Sequence, residues 1–403
     1  MEMKKKFAEK LKYFDYALFI PFLILAFIGV VMVYSASSIN LSYLTGSTMQ
    51  YFIRQLIYVV MGIGITILFA QLNPRWWRST GLLIGGWFFF MGLLIIAKFF
   101  NSAINGANGW INLKIISIQP SEFCKLYLVM FLANLFSNYN KNGGNILIRK
   151  LKMGKIFVKE WLLIAMVLTM LVMILLAPDM GGFAISFAIV IVMYLAYVNL
   201  KYWKSLLIIV SGIATIGVGA YFLQFTTFLD GTKIGYMIQR FRAVFEPFKY
   251  ENSIGKQLVN SLYAISNGGI LGRGIGESIQ KRGYLPEPYT DFIISITAEE
   301  LGAIGATVVI CLLAWVILRI YLIGIRSKST YAMFFCYGVG TFFAVETFFN
   351  IGGAIGFLPI TGVTLPFISY GGSSMIVLTI ALGMVMNISA NQKRGTEVAV
   401  FGE

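Results

Sequence analysis

The sequence contains no histidine, and this absence removes a common route to catalysis and to metal binding. Histidine is the side chain that most often moves protons near neutral pH, and its imidazole is a frequent metal ligand. A catalytic proton transfer in this chain would therefore use carboxylates, tyrosine or lysine. Only three cysteines are present, Cys124, Cys311 and Cys336, and each lies within or at the start of an apolar segment. Their positions do not support a disulfide framework or a CxxC zinc site.

Charged residues are also scarce. They make up 12% of the 403 residues, whereas about 25% is typical of soluble domains. Hydrophobic residues make up 58%, and many apolar runs approach the roughly 20 residues that a helix needs to cross a bilayer. The pattern predicts an all-α polytopic membrane protein with about ten transmembrane helices. We place these spans at residues 16–34, 52–71, 80–100, 119–137, 160–177, 182–199, 203–223, 292–322, 331–351 and 367–388.

The distribution of positive charge predicts the orientation of the chain. The formal net charge is +15, but most Lys and Arg residues lie in short segments on the side shared with the N-terminus, and none lie in residues 352–366. The positive-inside rule therefore places the N-terminus (residues 1–15) and the C-terminus (residues 389–403) in the cytoplasm. This role accounts for the charge, and we expect no nucleic-acid partner.

The longest connection, residues 224–291, lies between spans seven and eight on the extracytoplasmic side. Long loops can be translocated regardless of their charge, so its basic residues do not conflict with the topology. Apolar and aromatic residues occur throughout the loop, which favours a folded segment lying on the membrane. No convincing internal repeat is present, and we predict a single membrane domain over residues 1–403.

A first polar cluster opens the predicted fourth span with Gln-Pro-Ser-Glu at residues 119–122. Glu122 and Lys125 lie three residues apart, so they share one face of the helix near its outer end. Two interpretations stay open: an internally paired helix start, or a membrane-embedded ion pair with a function. Farther along, Pro-Asp-Met-Gly-Gly at residues 178–182 is typical of a tight turn.

The end of the long loop brings three carboxylates close to one span. Asp291 opens span eight after a proline-rich stretch, and Glu299 and Glu300 lie about two turns deeper. Asp291 is interpreted either as a helix cap or as a functional carboxylate. Earlier in the loop, Arg273 lies among glycines whose backbone could cradle phosphate oxygens, although this pattern is weak outside a βαβ unit.

The last cluster, residues 358–374, runs directly into span ten. It contains two prolines and ends with Ser-Tyr-Gly-Gly-Ser-Ser at residues 369–374. Irregular backbone at membrane depth is tolerated only where protein or a water-filled cavity satisfies it, so the cluster predicts a cavity lining. The alternative is that its small residues serve helix packing.

These motifs together resemble the SEDS family of FtsW, RodA and SpoVE. The order and spacing agree from about Tyr34 to Ser389, and residues 352–356 and 362–366 are more similar to the FtsW branch than to RodA. The chain departs from the usual family pattern where Gly109 replaces an arginine, Ala177 a glutamine and Tyr289 a histidine. The resemblance rests on Tyr-Ser-Ala-Ser ending span one, Gln-Pro-Ser-Glu-x-x-Lys, Leu-Pro-Glu-x-x-Thr-Asp-Phe-Ile, Glu-Glu-Leu-Gly, and Pro-x-Thr-Gly-Val-Thr-Leu-Pro-Phe-Ile-Ser-Tyr-Gly-Gly-Ser-Ser.

The resemblance implies a peptidoglycan glycosyltransferase that polymerises lipid II, an undecaprenyl-pyrophosphate disaccharide-pentapeptide, at the outer face of the cytoplasmic membrane. It implies Asp291 as the catalytic aspartate, and a divalent cation, Mg²⁺ or Mn²⁺, would suit this carboxylate and the pyrophosphate. Expected substrate-binding residues are Lys125, Arg240 and Arg273 at the pyrophosphate, Glu122 orienting Lys125, and Glu300, Ser369 and Ser373.

The resemblance also implies partners and a location. The partners are a class B penicillin-binding protein, which is a transpeptidase, and other divisome membrane proteins, and the location is the division septum of a bacterium. Two other functions stay open, a lipid II flippase and a non-catalytic divisome scaffold. The charges cluster at the outer face rather than through the depth of the bundle, which favours the polymerase.

The topology can be tested by cysteine labelling. A cysteine introduced at Ser253 should react from outside in intact cells, because residues 224–291 are expected to be extracytoplasmic. A cysteine introduced at Ser327 should react with the same membrane-impermeant maleimide only after lysis. The reverse labelling pattern would overturn the orientation.

Overall fold

The computed structural model describes residues 12–44, 49–99, 109–112, 117–141, 150–153, 156–177, 179–198, 204, 211–212 and 240–401. Helices account for most of the described residues, and two short antiparallel hairpins pair Ile111 with Ile118 and Lys150 with Lys159. The elements in chain order are α1 Tyr16–Leu44, α2 Gln50–Gln71, α3 Thr80–Phe99, β1 Ile111–Asn112, β2 Ser117–Ile118, α4 Pro120–Lys141, β3 Lys150–Met153, β4 Ile156–Lys159, α5 Glu160–Leu176, α6 Met180–Val198, α7 Lys256–Gly268, α8 Ile293–Ile325, α9 Thr330–Ala354, α10 Gly372–Arg394 and α11 Glu397–Phe401.

Seven of the described helices, α1, α2, α3, α6, α8, α9 and α10, are long and apolar enough to cross a membrane. Helix α5 contains a shorter apolar helix, Trp161–Leu176, and α4 coincides with the predicted fourth span. The predicted span at residues 203–223 lies almost entirely outside the described residues. The protein is therefore an all-α, multi-pass membrane protein, as the sequence predicts.

The ends of two predicted spans differ from the structure. The first helix continues to Leu44, whereas the sequence placed its end at residue 34. The last long helix begins at Gly372 rather than at residue 367, because residues 359–371 form an irregular segment in which Phe367 has a φ of 66°. A left-handed backbone at a phenylalanine is uncommon and interrupts any helix at that point.

Helix α10 lies at the centre of the described bundle and is buried on nearly all of its faces. It packs closely against α2, and a Cβ atom added at Gly383 would lie 2.7 Å from the carbonyl oxygen of Thr66. Thr66 Oγ1 donates a hydrogen bond of 3.2 Å to the carbonyl of Thr379 across this contact. Small residues at such contacts let helices approach where lipid provides no hydrophobic driving force between them.

Helix α8 is broken at Gly302, which has a φ of 70° and a ψ of −175°. Only glycine fits there, because an added Cβ would lie 2.3 Å from the carbonyl oxygen of Ile270. The outer loop enters this break: the amides of Ala303 and Ile304 donate to the carbonyls of Gly269 and Ile270 at 2.9 and 3.3 Å. The described part of the loop, residues 240–291, is thus folded and fixed to α8.

At the opposite end of the bundle, Asp15 joins three helices. It precedes α1, and its Oδ2 accepts from Arg319 of α8 at 3.0 Å, from Ser389 of α10, and lies 3.6 Å from Lys393 Nζ. Burial alone would raise the pKa of Asp15, but the hydrogen bonds from Ser389 and Arg319 and the nearby positive charges hold it below its usual value.

Candidate functional site

Asp291 is presented by a backbone that is held at three consecutive residues. The carbonyl of Tyr289 accepts from the amide of Tyr370 at 2.9 Å, and the carbonyl of Thr290 accepts from Ser369 Oγ at 2.6 Å. The carbonyl of Asp291 itself accepts from Asn350 Nδ2 at 2.9 Å. These donors come from α9 and from residues 359–371, so the elements around span ten fix the direction of the Asp291 side chain.

The Asp291 carboxylate faces a small cavity between α8, α9 and residues 359–371. Its Oδ2 would lie 3.6 Å from a Cβ atom added at Gly362, so the glycine leaves room beside the carboxylate. The N-cap of α8 is Phe292 and has no side-chain cap hydrogen bond, so the interpretation of Asp291 as a helix cap is not supported. The cavity is lined by Asp291, Phe292, Phe349, Asn350, Gly353, Ala354, Ile360, Thr361, Gly362 and Val363.

The electrostatic surroundings suit Asp291 for proton transfer. Burial raises its pKa to about 7, and the negative charge of Glu287 acts in the same direction. Arg240 and a hydrogen bond with Thr290 act in the opposite direction but do not cancel the increase. A carboxyl group with a pKa near the operating pH is well matched to general base catalysis.

Arg240 is fixed beside this site. Its Nη1 donates a hydrogen bond of 2.7 Å to the carbonyl of Ile360, which lines the same cavity as Asp291. A guanidinium group carries its donors in a planar fork that matches the oxygens of a phosphate group. Of the three predicted pyrophosphate-binding cations, Arg240 is the one that the structure places next to Asp291.

Three tyrosine rings pack together near Asp291, and one of them, Tyr289, precedes it by two residues. Tyr51 lies 4.7 Å from Tyr289 and 4.8 Å from Tyr370, measured between ring centroids. Tyr289 Oη donates to Tyr51 Oη at 3.4 Å, and burial together with this bond raises the pKa of Tyr289 well above its usual value. The tyrosine at position 289 therefore stays protonated and serves packing and hydrogen bonding near the carboxylate.

Lys125 belongs to a neighbouring cluster in which Lys125 and Glu346 are fully buried and Glu122 is nearly so. Its Nζ lies 2.7 Å from Glu122 Oε1 and 3.5 Å from Glu346 Oε1, and its side chain is fully buried. The predicted orientation of Lys125 by Glu122 agrees with this ion pair. Enclosure between two carboxylates keeps Lys125 from contacting a pyrophosphate in this conformation, so its connection to the site runs through Thr364, which donates to Glu346 at 3.5 Å.

Ser373 and Asp179 hold the start of α4 in place. Ser373 Oγ accepts from the amide of Gln119 at 3.0 Å. Asp179 Oδ1 accepts from the amide of Gly182 at 2.7 Å, and Oδ2 accepts from Gln119 and Ser121. Residues 180–182 of the predicted turn instead form the start of α6, where Asp179 binds the Gly182 amide, and Pro178 lies outside the described residues. The same carboxylate also contacts the predicted first cluster through Gln119 and Ser121.

A second buried cluster lies about two turns farther along α8 than Asp291. Lys281 Nζ lies 2.7 Å from Glu300 Oε1 and 2.8 Å from Ser35 Oγ, and both charged side chains are fully buried. Glu299 accepts from Ser278 Oγ and from the amides of residues 279 and 280. Glu299 and Glu300 therefore anchor the outer loop to α8 and α1.

Arg273 is exposed and lies beside this anchor rather than beside Asp291. Its amide donates to the carbonyl of Glu299 at 3.0 Å. The structure thus brings Asp291, Arg240 and Ser369 together, with Glu122, Lys125 and Ser373 in the adjoining cluster. It does not bring Arg273 or Glu300 to the carboxylate, and a substrate-binding role for these two residues stays a prediction.

The residues at Asp291 suit a cation only when it is shared with another ligand. Among the described residues no three His, Cys, Asp or Glu side chains come together as a metal cluster. Asp291 and Glu287 are close enough to interact electrostatically, and Mg²⁺ is commonly held by one or two carboxylates together with substrate phosphates. These two carboxylates do not form a cage made by protein alone, so a cation here would also need oxygens of the substrate.

Comparison with known proteins decides the family. A family model described as "Cell cycle protein", covering FtsW, RodA and SpoVE, matches residues 16–394. The chain belongs to the FtsW/RodA/SpoVE family. Among its relatives, a protein of Lactococcus lactis subsp. lactis named probable peptidoglycan glycosyltransferase FtsW is 34% identical, with 96% of this chain and 94% of the relative covered. The FtsW protein of Bacillus subtilis carries the same name and is 36% identical, with 94% and 92% covered.

Solved structures of the family have the same fold. A structure described as "Structural coordination of polymerization and crosslinking by a peptidoglycan synthase complex" matches with a TM-score of 0.69 at 24% identity, covering 94% of this chain and 98% of that chain. The rod shape determining protein RodA of Thermus thermophilus matches with a TM-score of 0.62 at 22% identity, covering 94% and 97%. Both likenesses establish the helical architecture of the family for this chain.

Several residues of the site were missed by sequence reasoning. Glu346 is an isolated carboxylate in the apolar span nine, and that isolation alone could have marked it as a buried partner. Lys281 is one of several basic residues in the outer loop, and no local spacing connects it with Glu300. Glu287 belongs to the Leu-Pro-Glu motif and Tyr51 to none of the motifs. Neither position predicts a contact near Asp291, because those contacts form only on folding.

The anchor of the outer loop can be tested against an exposed ion pair on the same loop. Lys281→Met leaves Glu300 buried without its cation, and we expect a loss of about 3–5 kcal/mol of stability. Lys249→Met breaks a pair of the same length, 2.7 Å, whose side chains are 64% and 53% exposed, and should leave stability unchanged. Thermal denaturation of the purified proteins measures both. Lys281→Met/Glu300→Gln removes both charges and should be more stable than Lys281→Met. Equal losses of stability in Lys281→Met and Lys249→Met, or no gain in the double variant, would show that this ion pair does not anchor the loop.

Proposed function

We propose that this protein is a peptidoglycan glycosyltransferase that polymerises lipid II into glycan strands at the outer face of the cytoplasmic membrane during septal cell-wall synthesis. The observation that carries the proposal is the Asp291 carboxylate, held over a cavity beside Arg240 with a pKa near 7. Relatives that match over almost the whole chain are named peptidoglycan glycosyltransferases. A base beside a cation is what glycosyl transfer from a pyrophosphate requires.

The proposed reaction joins two lipid-linked disaccharides. Asp291 accepts the proton of the 4-hydroxyl group on the GlcNAc of the acceptor as that oxygen attacks the anomeric carbon of MurNAc in the donor. The new glycosidic bond forms as the bond to the lipid pyrophosphate breaks, and the anomeric configuration inverts. Arg240 stabilises the negative charge that develops on the departing pyrophosphate. Ser369 and Asn350 act as positioning residues through the carbonyls of residues 290 and 291.

Asp291 and Glu287 would hold a Mg²⁺ or Mn²⁺ ion together with the substrate, and the ion would neutralise charge on the pyrophosphate. Glu122, Lys125 and Ser373 contribute by fixing α4 and residues 359–371 around the cavity. In this proposal Arg240 provides the direct contact with phosphate and Lys125 acts through Glu346 and Thr364.

The proposed setting is the division septum of a bacterium, with both termini in the cytoplasm. A class B penicillin-binding protein would crosslink the strands, and other divisome membrane proteins would join the assembly. The structure that matches with a TM-score of 0.69 is described as part of a peptidoglycan synthase complex. That likeness supports an enzyme that works together with a partner protein.

A flippase is the main alternative, and the placement of charge argues against it. A headgroup pathway needs polar groups through the depth of the bundle. Residues 303–318 of α8 and residues 372–392 of α10 carry no Asp, Glu, Lys or Arg. In the described part of the chain, the ion pairs within the bundle instead lie towards its two ends, at Lys125 and Lys281 and, opposite them, at Asp15.

The role of Asp291 can be tested by a substitution that preserves its shape. Asp291→Asn removes the proton acceptor, so we expect polymerisation of lipid II to fall by roughly 10²–10⁴-fold. Because burial disfavours the charged form, the variant should be at least as stable as the parent protein at pH 8. Gel analysis of glycan products, with and without the penicillin-binding partner, and thermal denaturation give the two readouts. Near-normal synthesis by Asp291→Asn would rule out the catalytic role.

The pH dependence of the reaction provides a second test with two opposite variants. The rate should fall as pH decreases through about 7, because Asp291 becomes protonated there. Glu287→Gln removes a charge that raises this pKa and should move the decline to lower pH. Arg240→Gln removes a charge that lowers the pKa and should move it to higher pH. Unchanged profiles in both variants would mean that Asp291 is not the titrating group.

The proposed septal role can be tested by depletion. Loss of a septal polymerase should produce cells that elongate without completing septa. Microscopy of a depletion strain, with glycan labelling at midcell, distinguishes this outcome from swollen, rounded cells that still divide. The latter result would indicate a role in elongation.

A further inference from the structure

A second cavity lies at the end of the bundle opposite Asp291, where α2, α10 and α11 meet. It has a volume of about 360 Å³. Helix α10 begins at Gly372 near the candidate site and ends at Arg394 beside this cavity, which separates the two by about 34 Å at 1.5 Å per residue. The topology predicted from the charge distribution places this end in the cytoplasm. The polar lining consists of Gln71, Asn73, Arg75, Asn387, Asn391 and Arg394.

Among the described residues, the charge of the cavity lining is entirely positive. Its charged side chains are Arg75 and Arg394, and none of the described lining residues is Asp or Glu. Nearby carboxylates are held by other groups: Glu397 accepts from Ser327 Oγ and from the amide of Lys328. Asp15 is paired with Arg319 and Lys393. The two arginines therefore determine the sign of the ligand.

The helix ends that meet the cavity have donors for their carbonyl groups. Asn387 Nδ2 donates to the carbonyls of Phe69, Ala70 and Leu72 at 3.0, 3.0 and 2.7 Å. At the end of α10, the amide of Thr396 donates to the carbonyl of Asn391 at 3.1 Å. Free carbonyls at a helix C-terminus repel anions. Because these carbonyl groups already accept hydrogen bonds, the negative helix ends repel an anion less strongly.

The arginines also have donors available. Arg75 Nη2 donates to the carbonyl of Ala399 at 3.1 Å, which fixes the guanidinium at the rim and leaves its other N–H groups. The Arg394 guanidinium lies 5.1 Å from the centre of the Tyr13 ring, and its buried Nη2 has no hydrogen-bond partner among the described residues. An unsatisfied buried donor is costly, and a bound anion would satisfy it.

We propose that this cavity binds a phosphate group, supplied by the headgroup of an anionic phospholipid in the cytoplasmic leaflet. Guanidinium groups match phosphate oxygens with paired, charge-assisted hydrogen bonds. Basic pockets between membrane helices on the cytoplasmic side are suited to anionic lipid headgroups. The bound lipid would join α2, α10 and α11 at the end of the bundle remote from the reaction. The proposal is independent of the glycosyltransferase activity.

The test uses the full chain in nanodiscs of phosphatidylcholine with increasing phosphatidylglycerol. Thermal denaturation should show saturable stabilisation by phosphatidylglycerol, with a midpoint at least about tenfold higher in Arg75→Gln/Arg394→Gln, because charge-assisted hydrogen bonds are lost. Arg326→Gln removes an exposed arginine at the same end that does not line the cavity, so it should titrate as the parent protein does. An unchanged midpoint in the double variant overturns the proposal.

Two further arms complete the test. Inorganic phosphate added to phosphatidylcholine nanodiscs identifies the source: if it reproduces the stabilisation, a free phosphate rather than a lipid headgroup occupies the cavity, and the lipid part of the proposal is wrong. Val400→Trp should fill the cavity without changing its charge. It tests the proposal independently if the double variant does not fold. Native mass spectrometry should show that the parent protein keeps a phosphatidylglycerol that Val400→Trp has lost. Equal retention in both proteins would also overturn the proposal.

Discussion

A charged side chain inside a membrane bundle needs a partner, because neither lipid nor apolar side chains replace the water that it loses. The described helices meet this constraint with ion pairs, some of which join different segments of the chain. Lys281 of the outer loop reaches Glu300 of α8, and Lys125 of α4 lies between Glu122 and Glu346 of α9. Removing one member leaves the other charge buried alone, so each pair also determines which helices are neighbours. The same ion pairs therefore stabilise both the helix arrangement and the buried charges of the bundle.

Asp291 is the contrasting case, and the contrast supports its proposed catalytic role. Its backbone is held through the carbonyls of residues 289–291, but its carboxylate is not stabilised enough by Arg240 to keep a low pKa. A carboxylate in a strong buried ion pair would bind a proton too weakly to act as a base near neutral pH. Burial makes the charged form of Asp291 costly, and this cost is compatible with folding because the rigid backbone contacts do not depend on the charge of the side chain.

Local patterns in the sequence predict the elements well, and long-range contacts explain what they miss. Apolar runs of membrane length give most spans, and the spacing of Glu122 and Lys125 gives their ion pair, because both follow from helix geometry alone. The sequence does not decide whether Asp291 is a helix cap or a functional carboxylate, because an aspartate at the start of a helix is compatible with both. Glu346 and Lys281 acquire their partners across 221 and 19 residues. No local spacing encodes those contacts, and without them the division of the polar residues into two clusters cannot be derived.

The segment between α9 and α10 connects the two parts of the candidate site. Asn350 and Glu346 lie one turn apart on α9, and they bind adjacent residues of this segment. Asn350 Nδ2 donates to the carbonyls of Asp291 and Val363, whereas Glu346 accepts from Thr364 and contacts Lys125. A displacement of residues 363 and 364 would therefore change the position of Asp291 and the closure of the Lys125 cluster at the same time. The Lys125 ion pair thus reaches the Asp291 carboxylate through two neighbouring residues. In the proposed reaction, this connection would let buried charges affect catalysis without touching the substrate.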